Sequence, residues 1–113
     1  MTKEEFHNVV NEYSHIKLYE NNESNREFMY INDDYTLSLG WYDYKISAVR
    51  IISGFIIVDD NYGHLFISTP TVPIINMRKT ENFSNKLKFL FKQKKQLEIE
   101  IKIKNINKDF DND

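Results

Sequence analysis

The period of the hydrophobic positions changes several times along the chain, and each change marks an element. Phe6, Val9, Val10 and Tyr13 recur at helical spacing, with Glu5, Asn8 and Glu12 on the other side. Thr2 and Glu5 stand three apart, the capping-box arrangement that satisfies two free N–H groups at a helix start. This predicts an amphipathic helix over about residues 3–14. Period two follows. Ile16 and Leu18 alternate with Lys17 and Tyr19, and 26–32 is rich in aromatic and β-branched residues. Tyr35, Leu37, Leu39 and Trp41 then alternate with Thr36, Ser38, Gly40 and Tyr42. These segments read as strands, the last two as a hairpin turning at Asp33–Asp34.

Residues 45–52 and 55–58 read as further strands, with Ser53–Gly54 as a turn or bulge between them. The cluster 59–64 (DDNYGH) is a turn, and Leu65–Thr69 the returning strand. Pro70 and Pro73 interrupt the sheet, because neither can donate a ladder hydrogen bond. Thr80 reads as the N-cap of a second helix over about 81–94, in which Phe83, Leu87, Leu90 and Phe91 share one arc. Leu97, Ile99, Ile101 and Ile103 then alternate with Glu98, Glu100, Lys102 and Lys104. That pattern predicts an amphipathic strand over about 96–104. Residues 105–113 read as a frayed acidic tail. The order lacks regular βαβ alternation. It predicts one α+β domain over 1–104, a mostly antiparallel sheet of five to seven strands with both helices packed on one face.

Composition narrows the chemistry. The chain has 113 residues, no cysteine, three glycines and two prolines. Disulfides, thiolate metal sites and cysteine nucleophiles are excluded, and glycine-rich phosphate loops nearly so. Ile (14), Asn (13), Lys (12), Phe (8) and Tyr (7) dominate, against a single alanine. This is the usage that AT-rich codons encode. The N-terminal stretch lacks a basic-then-apolar run, and no apolar segment approaches the roughly 20 residues of a membrane span. A cytoplasmic location without membrane attachment is the expectation.

None of the three histidines sits at metal-site spacing. His64 follows a turn beside Asp59 and Asp60, which could polarise water but read first as turn formers. No nucleophile elbow is present, and Asp59-x-Asn61-x-Gly63 lacks the rest of a calcium loop. Enzymatic activity, a cofactor and a metal are therefore not expected.

Charge is what remains. The net charge is −2, but residues 1–60 carry −6 and residues 61–113 carry +4. In the acidic half, Asp33, Asp34 and Asp43 lie close in sequence to Trp41, Tyr42 and Tyr44. Aromatic anchors ringed by carboxylates suit a protein interface that steers a basic partner. In the basic half, Arg78, Lys86, Lys88, Lys92 and Lys95 surround Phe89, a combination that could hold phosphates and stack on bases. The expected function is a small bacterial or phage binding protein that inhibits a protein partner by occlusion. An immunity protein neutralising a toxin, such as a nuclease toxin, is the leading form. A nucleic-acid-binding module using the lysine-rich helix and a phage-encoded anti-defence inhibitor are the alternatives.

Overall fold

A computed structural model of the chain describes residues 1–31, 34–73 and 75–111. The elements run α1 (Lys3–Val10), β1 (Ile16–Asn21), β2 (Arg26–Ile31), β3 (Asp34–Asp43), β4 (Ala48–Ile51), β5 (Ile56–Asp59), β6 (Leu65–Ser68), β7 (Ile75–Met77) and α2 (Thr80–Asp111). An antiparallel five-stranded sheet has the order β1-β2-β3-β4-β7, and β5 and β6 form a separate antiparallel pair. This is the expected α+β fold.

The capping box starts α1: Thr2 Oγ1 accepts from the Glu5 N–H, and Glu5 Oε1 accepts from the Thr2 N–H. The helix stops at Val10, short of residue 14. Its end loosens through tight turns, with the Glu12 and Tyr13 N–H groups donating to Val9 and Val10. Tyr13 leaves the helix to stack on Phe91 at 5.0 Å. Phe6 lies between Tyr42 of the sheet (5.0 Å) and Phe83 of α2 (5.6 Å), which places both helices on the same face. The core between them comprises Met29, Leu39, Val49, Ile51, Ile52, Phe83, Leu87 and Leu90, all fully buried.

Three expectations are corrected. Residues 96–104 are helix, not strand: α2 continues without interruption from Thr80 to Asp111. No glycine or proline lies in this stretch to stop it. Lys94 pairs with Glu98, and Glu100 with Lys104, both at the four-residue spacing that supports a helix. The predicted tail from 105 is correspondingly helical through Asp111. Second, Ile75–Met77 is a strand, the edge β7 that pairs with β4; three residues after a proline are too few to show a period. Third, the alternation in β3 changes phase. Phe28 faces Trp41 and Met29 faces Gly40, but Tyr30 faces Ser38, so one extra residue is inserted on β3. Leu37 and Leu39 point inward before this bulge, and Tyr42 after it. Gly40 makes the step possible. Its φ is +137°, and a Cβ there would lie 1.9 Å from the Arg50 carbonyl oxygen.

The β5–β6 pair leaves the sheet and lies along α2. Gln93 Oε1 accepts from the Phe55 N–H at 2.8 Å. Asn105 spans both backbone groups of Leu65, at 3.3 and 3.4 Å. Together with the C-terminal half of α2 the pair forms an arm. At 1.5 Å per residue α2 is about 48 Å long, and the molecule measures 55 × 27 × 22 Å.

Candidate functional site

The inner face of the sheet is covered by the helices. Its outer face carries no other described element. The register places Tyr19, Phe28, Trp41, Arg50 and Asn76 in one row across all five strands. A second row holds Lys17, Tyr30 and Ser38; a third holds Asn21, Arg26 and Asp43. Burial alternates along β2, where Glu27, Met29 and Ile31 are buried and Arg26, Phe28 and Tyr30 only partly so. The aromatics form a connected mosaic. Phe28 lies 5.7 Å from Trp41 and 6.4 Å from Tyr30, and the Arg26 guanidinium sits 4.5 Å over Trp41. Arg50 Nε donates to Asn76 Oδ1 at 3.0 Å. Tyr19, 60% exposed, is the open end of the row. The Trp41 indole N–H is buried without a hydrogen-bond partner. At about 4.8 Å between strands, the platform is about 20 Å wide. Its described charges are Lys17, Arg26 and Arg50 against Asp43.

The residues expected to form an acidic aromatic surface do not come together. Trp41 belongs to the outer face. Tyr42 is 3% exposed, a core residue whose hydroxyl donates to the Met1 carbonyl at 2.8 Å. As consecutive strand residues the two face opposite sides, and the bulge at Gly40 sets the phase that turns Trp41 out and Tyr42 in. Tyr44 is on the inner side. Its hydroxyl lies 2.8 Å from Glu27 Oε2 and 3.0 Å from Glu20 Oε1. Burial and these two carboxylates push the phenol well above its usual range, so it remains a donor. Asp43 closes a turn by accepting from the Lys45 N–H. Asp33 lies outside the described residues, and of Asp34 only the backbone is described, at the start of β3.

Two carboxylates of this half, Glu20 and Glu27, are engaged on the helix side. Buried Glu27 receives His7 Nε2 at 2.8 and 2.9 Å. Glu20 pairs with Lys3 at 3.3 Å, and the Tyr44 hydroxyl and Lys3 together lower its pKa. Among the described residues, Glu20 and Glu27 thus turn to the helix side, and the outer sheet face carries Lys17, Arg26 and Arg50 against Asp43, a net positive charge.

The basic set also divides. Arg78 precedes α2 and donates to the Ile46 carbonyl. Lys86 sits on one flank of α2, donating to the Ser53 carbonyl at 2.6 Å with its ammonium 4.5 Å over Phe89; burial lowers its pKa. Lys88, Lys92 and Lys95 share an exposed stripe about half a turn away, with Phe89 half exposed beside them. At His64 the turn reading accounts for the geometry. Asp60 accepts from the Tyr62 and His64 N–H groups, and the His64 ring stands 3.7 Å from Asp60. Among the described residues no group of three potential ligands could hold a metal, and no helix is long and apolar enough to cross a membrane.

The signal that could have found the outer row is the alternation itself, which sets 17 and 19 opposite the apolar Ile16 and Leu18, and 26, 28 and 30 opposite Met29 and Ile31. The sequence could not show that Trp41 joins it, since that depends on the bulge. No protein-family model matches this sequence, and no curated protein or solved structure matches it.

Proposed function

We propose that this protein works by binding, using the outer face of its five-stranded sheet to cover a functional surface of a partner protein, as an immunity protein does for a toxin. The observation that carries this reading is the uncovered row Tyr19–Phe28–Trp41–Arg50. Tryptophan, tyrosine and arginine are the residues on which interface energy concentrates. The cations on this face suit an acidic partner surface, which revises the basic partner expected from the sequence.

Arginine and lysine beside aromatic rings also favour a second reading, single-stranded nucleic acid. Protein is preferred because the rings are already packed on one another: Phe28 is flanked by Tyr30 and Trp41, and Arg26 covers Trp41. Among the described residues of this face, only Tyr19 offers a largely open ring for a base.

The test uses the protein encoded by the adjacent gene, with single-stranded oligonucleotides as the alternative ligand. Trp41 is the sole tryptophan, so its emission reports the face directly. Partner binding should shift that emission. Tyr19→Ala and Arg50→Glu should each weaken capture by about 2 kcal/mol, roughly thirtyfold in Kd, while Lys92→Glu leaves it unchanged. A partner held equally well by all three variants sinks the reading. Steeply salt-dependent oligonucleotide binding lost in Arg50→Glu would transfer the site to nucleic acid.

A further inference from the structure

The C-terminal half of α2 is apolar on two opposite sides. Leu97 and Ile101 turn toward the body and the β5–β6 pair, continuing the stripe of Phe83, Leu87 and Leu90. Ile99, Ile103 and Ile106 stand on the far side, 58%, 56% and 45% exposed. At 100° per residue the two stripes are centred almost half a turn apart. The alternation that resembles a strand is, on a helix, two seams.

The outer seam has a heptad rhythm. Phe89, Lys92, Gln96, Ile99, Ile103 and Ile106 follow at spacings of three, four, three, four and three, and each is exposed. This is the a/d pattern of a coiled coil, with Phe89, Gln96 and Ile103 at a and Lys92, Ile99 and Ile106 at d. The flanking positions fix what can lie against it. Lys88, Lys95 and Lys102 occupy g, while Gln93, Glu100 and Asn107 occupy e. Aligned antiparallel with itself, the seam would set lysine against lysine. Aligned parallel, Lys95 of each copy meets Glu100 of the other, two interhelical ion pairs of correct sign. Leu97 and Ile101, which face the body, lie on the opposite side of the helix from this seam.

The shape agrees. A compact domain of this length has a radius of gyration of about 13 Å; this chain has 16.1 Å. The excess is the protruding arm with its uncovered isoleucines.

We infer that the outward seam of α2 from Phe89 to Ile106 pairs in parallel with the same seam of a second copy of this chain. Isoleucine at both a and d would by itself favour three strands. Gln96 and Lys92 oppose that, because a third strand would bury their polar groups more completely.

Sedimentation velocity of the full chain across the micromolar range tests this. The expected mass is twice 13.6 kDa. Ile99→Lys with Ile103→Lys should give the monomer with helical circular dichroism and Trp41 emission unchanged. Lys95→Glu alone and Glu100→Lys alone should each weaken association, and the two together should restore it. The cysteine-free chain allows an orientation check. Gln96→Cys and Ile106→Cys, made separately, should each crosslink to its own counterpart, whereas an antiparallel pair permits at most one. A monomer at the highest concentration, a three-chain mass, or a charge swap that fails to restore association overturns the inference.

Discussion

The five-stranded sheet and the arm are made from the same isoleucines, leucines and phenylalanines, yet they treat them differently. In the sheet each strand has one inner face, and two helices cover it; Met29, Leu39, Val49 and Ile51 are fully buried there. In the arm the β5–β6 pair and the end of α2 have only each other. Ile67 and Leu97 find the core, but Ile56 and Phe66 on the pair and Ile99, Ile103 and Ile106 on the helix remain exposed. The difference is layering, not hydrophobicity. A two-stranded pair on a single helix has one covered interface, and whatever each element carries on its other side stays in solvent. The sheet uses its uncovered side for aromatics and cations, and the arm uses its own for aliphatics. The body is thus expected to be the stable unit and the arm the first part to open.

The largest expected effect would break the body itself. Gly40→Ala forces a Cβ into the Arg50 carbonyl at a positive φ that only glycine adopts easily. Relief requires removing the bulge, and under strict alternation residues 39 and 42 fall on opposite faces, so either Tyr42 or Leu39 would leave the core. The cost should reach at least about 4 kcal/mol, a large part of the stability of a domain this size. Loss of the cooperative thermal transition and red-shifted Trp41 emission would show it. Retention of a near-native melting temperature would mean that the bulge is not the device that fixes the outer row.

That same bulge marks where the sequence stops being readable. The capping box at Thr2 and Glu5, the inner stripe of Phe83, Leu87 and Leu90, and the strands on either side of 33–34 are local patterns, and they were legible. The phase change at Gly40 is not local, because it depends on β4 lying against β3. It decided which of Trp41 and Tyr42 would be available to a partner. Leu97–Lys104 failed for another reason. Strict alternation fits a half-buried strand, but it equally fits a helix with apolar stripes on two sides. Only the uninterrupted helix before it, with the Lys94–Glu98 and Glu100–Lys104 pairs, decides between them. The burial of Glu27 is not legible locally either, because it requires His7 from a distant element.

A matched pair of truncations sharpens the comparison. Leu87→Ala and Ile101→Ala each remove a large aliphatic side chain from α2, one in the body and one in the arm. Leu87 is fully buried and Ile101 nearly so. In the body the loss should be about 3 kcal/mol and shared by the whole domain. In the arm it should appear as faster amide exchange in 56–68 and 97–107, with body amides little changed, because local opening there does not unfold the sheet. Hydrogen-exchange mass spectrometry distinguishes the two. Uniform acceleration by Ile101→Ala would show that arm and body unfold as one unit.

The smallest effect concerns the junction of the two helix starts within the body. The Glu5 carboxylate accepts from the Thr2 N–H at 3.0 Å and from Thr80 Oγ1 at 2.9 Å, so it ties the beginning of α1 to that of α2. The Thr2 backbone hydrogen bond, reinforced by the threonine hydroxyls, holds its carboxyl below the ordinary value of 4.5. A lowered pKa means that the folded protein binds this proton less readily than the unfolded chain does. The stabilisation is therefore complete above the unfolded value and is lost as pH falls through the folded one. Glu5→Gln should melt at a lower temperature than the parent near neutral pH, and the gap should close as the solution is acidified below 4.5. The Glu20 and Glu27 carboxylates are present in both proteins, so the difference between the two melting curves isolates Glu5. Exchange in the arm should be the same in both. A gap that persists into acid would mean that Glu5 acts by shape at the cap, not by charge.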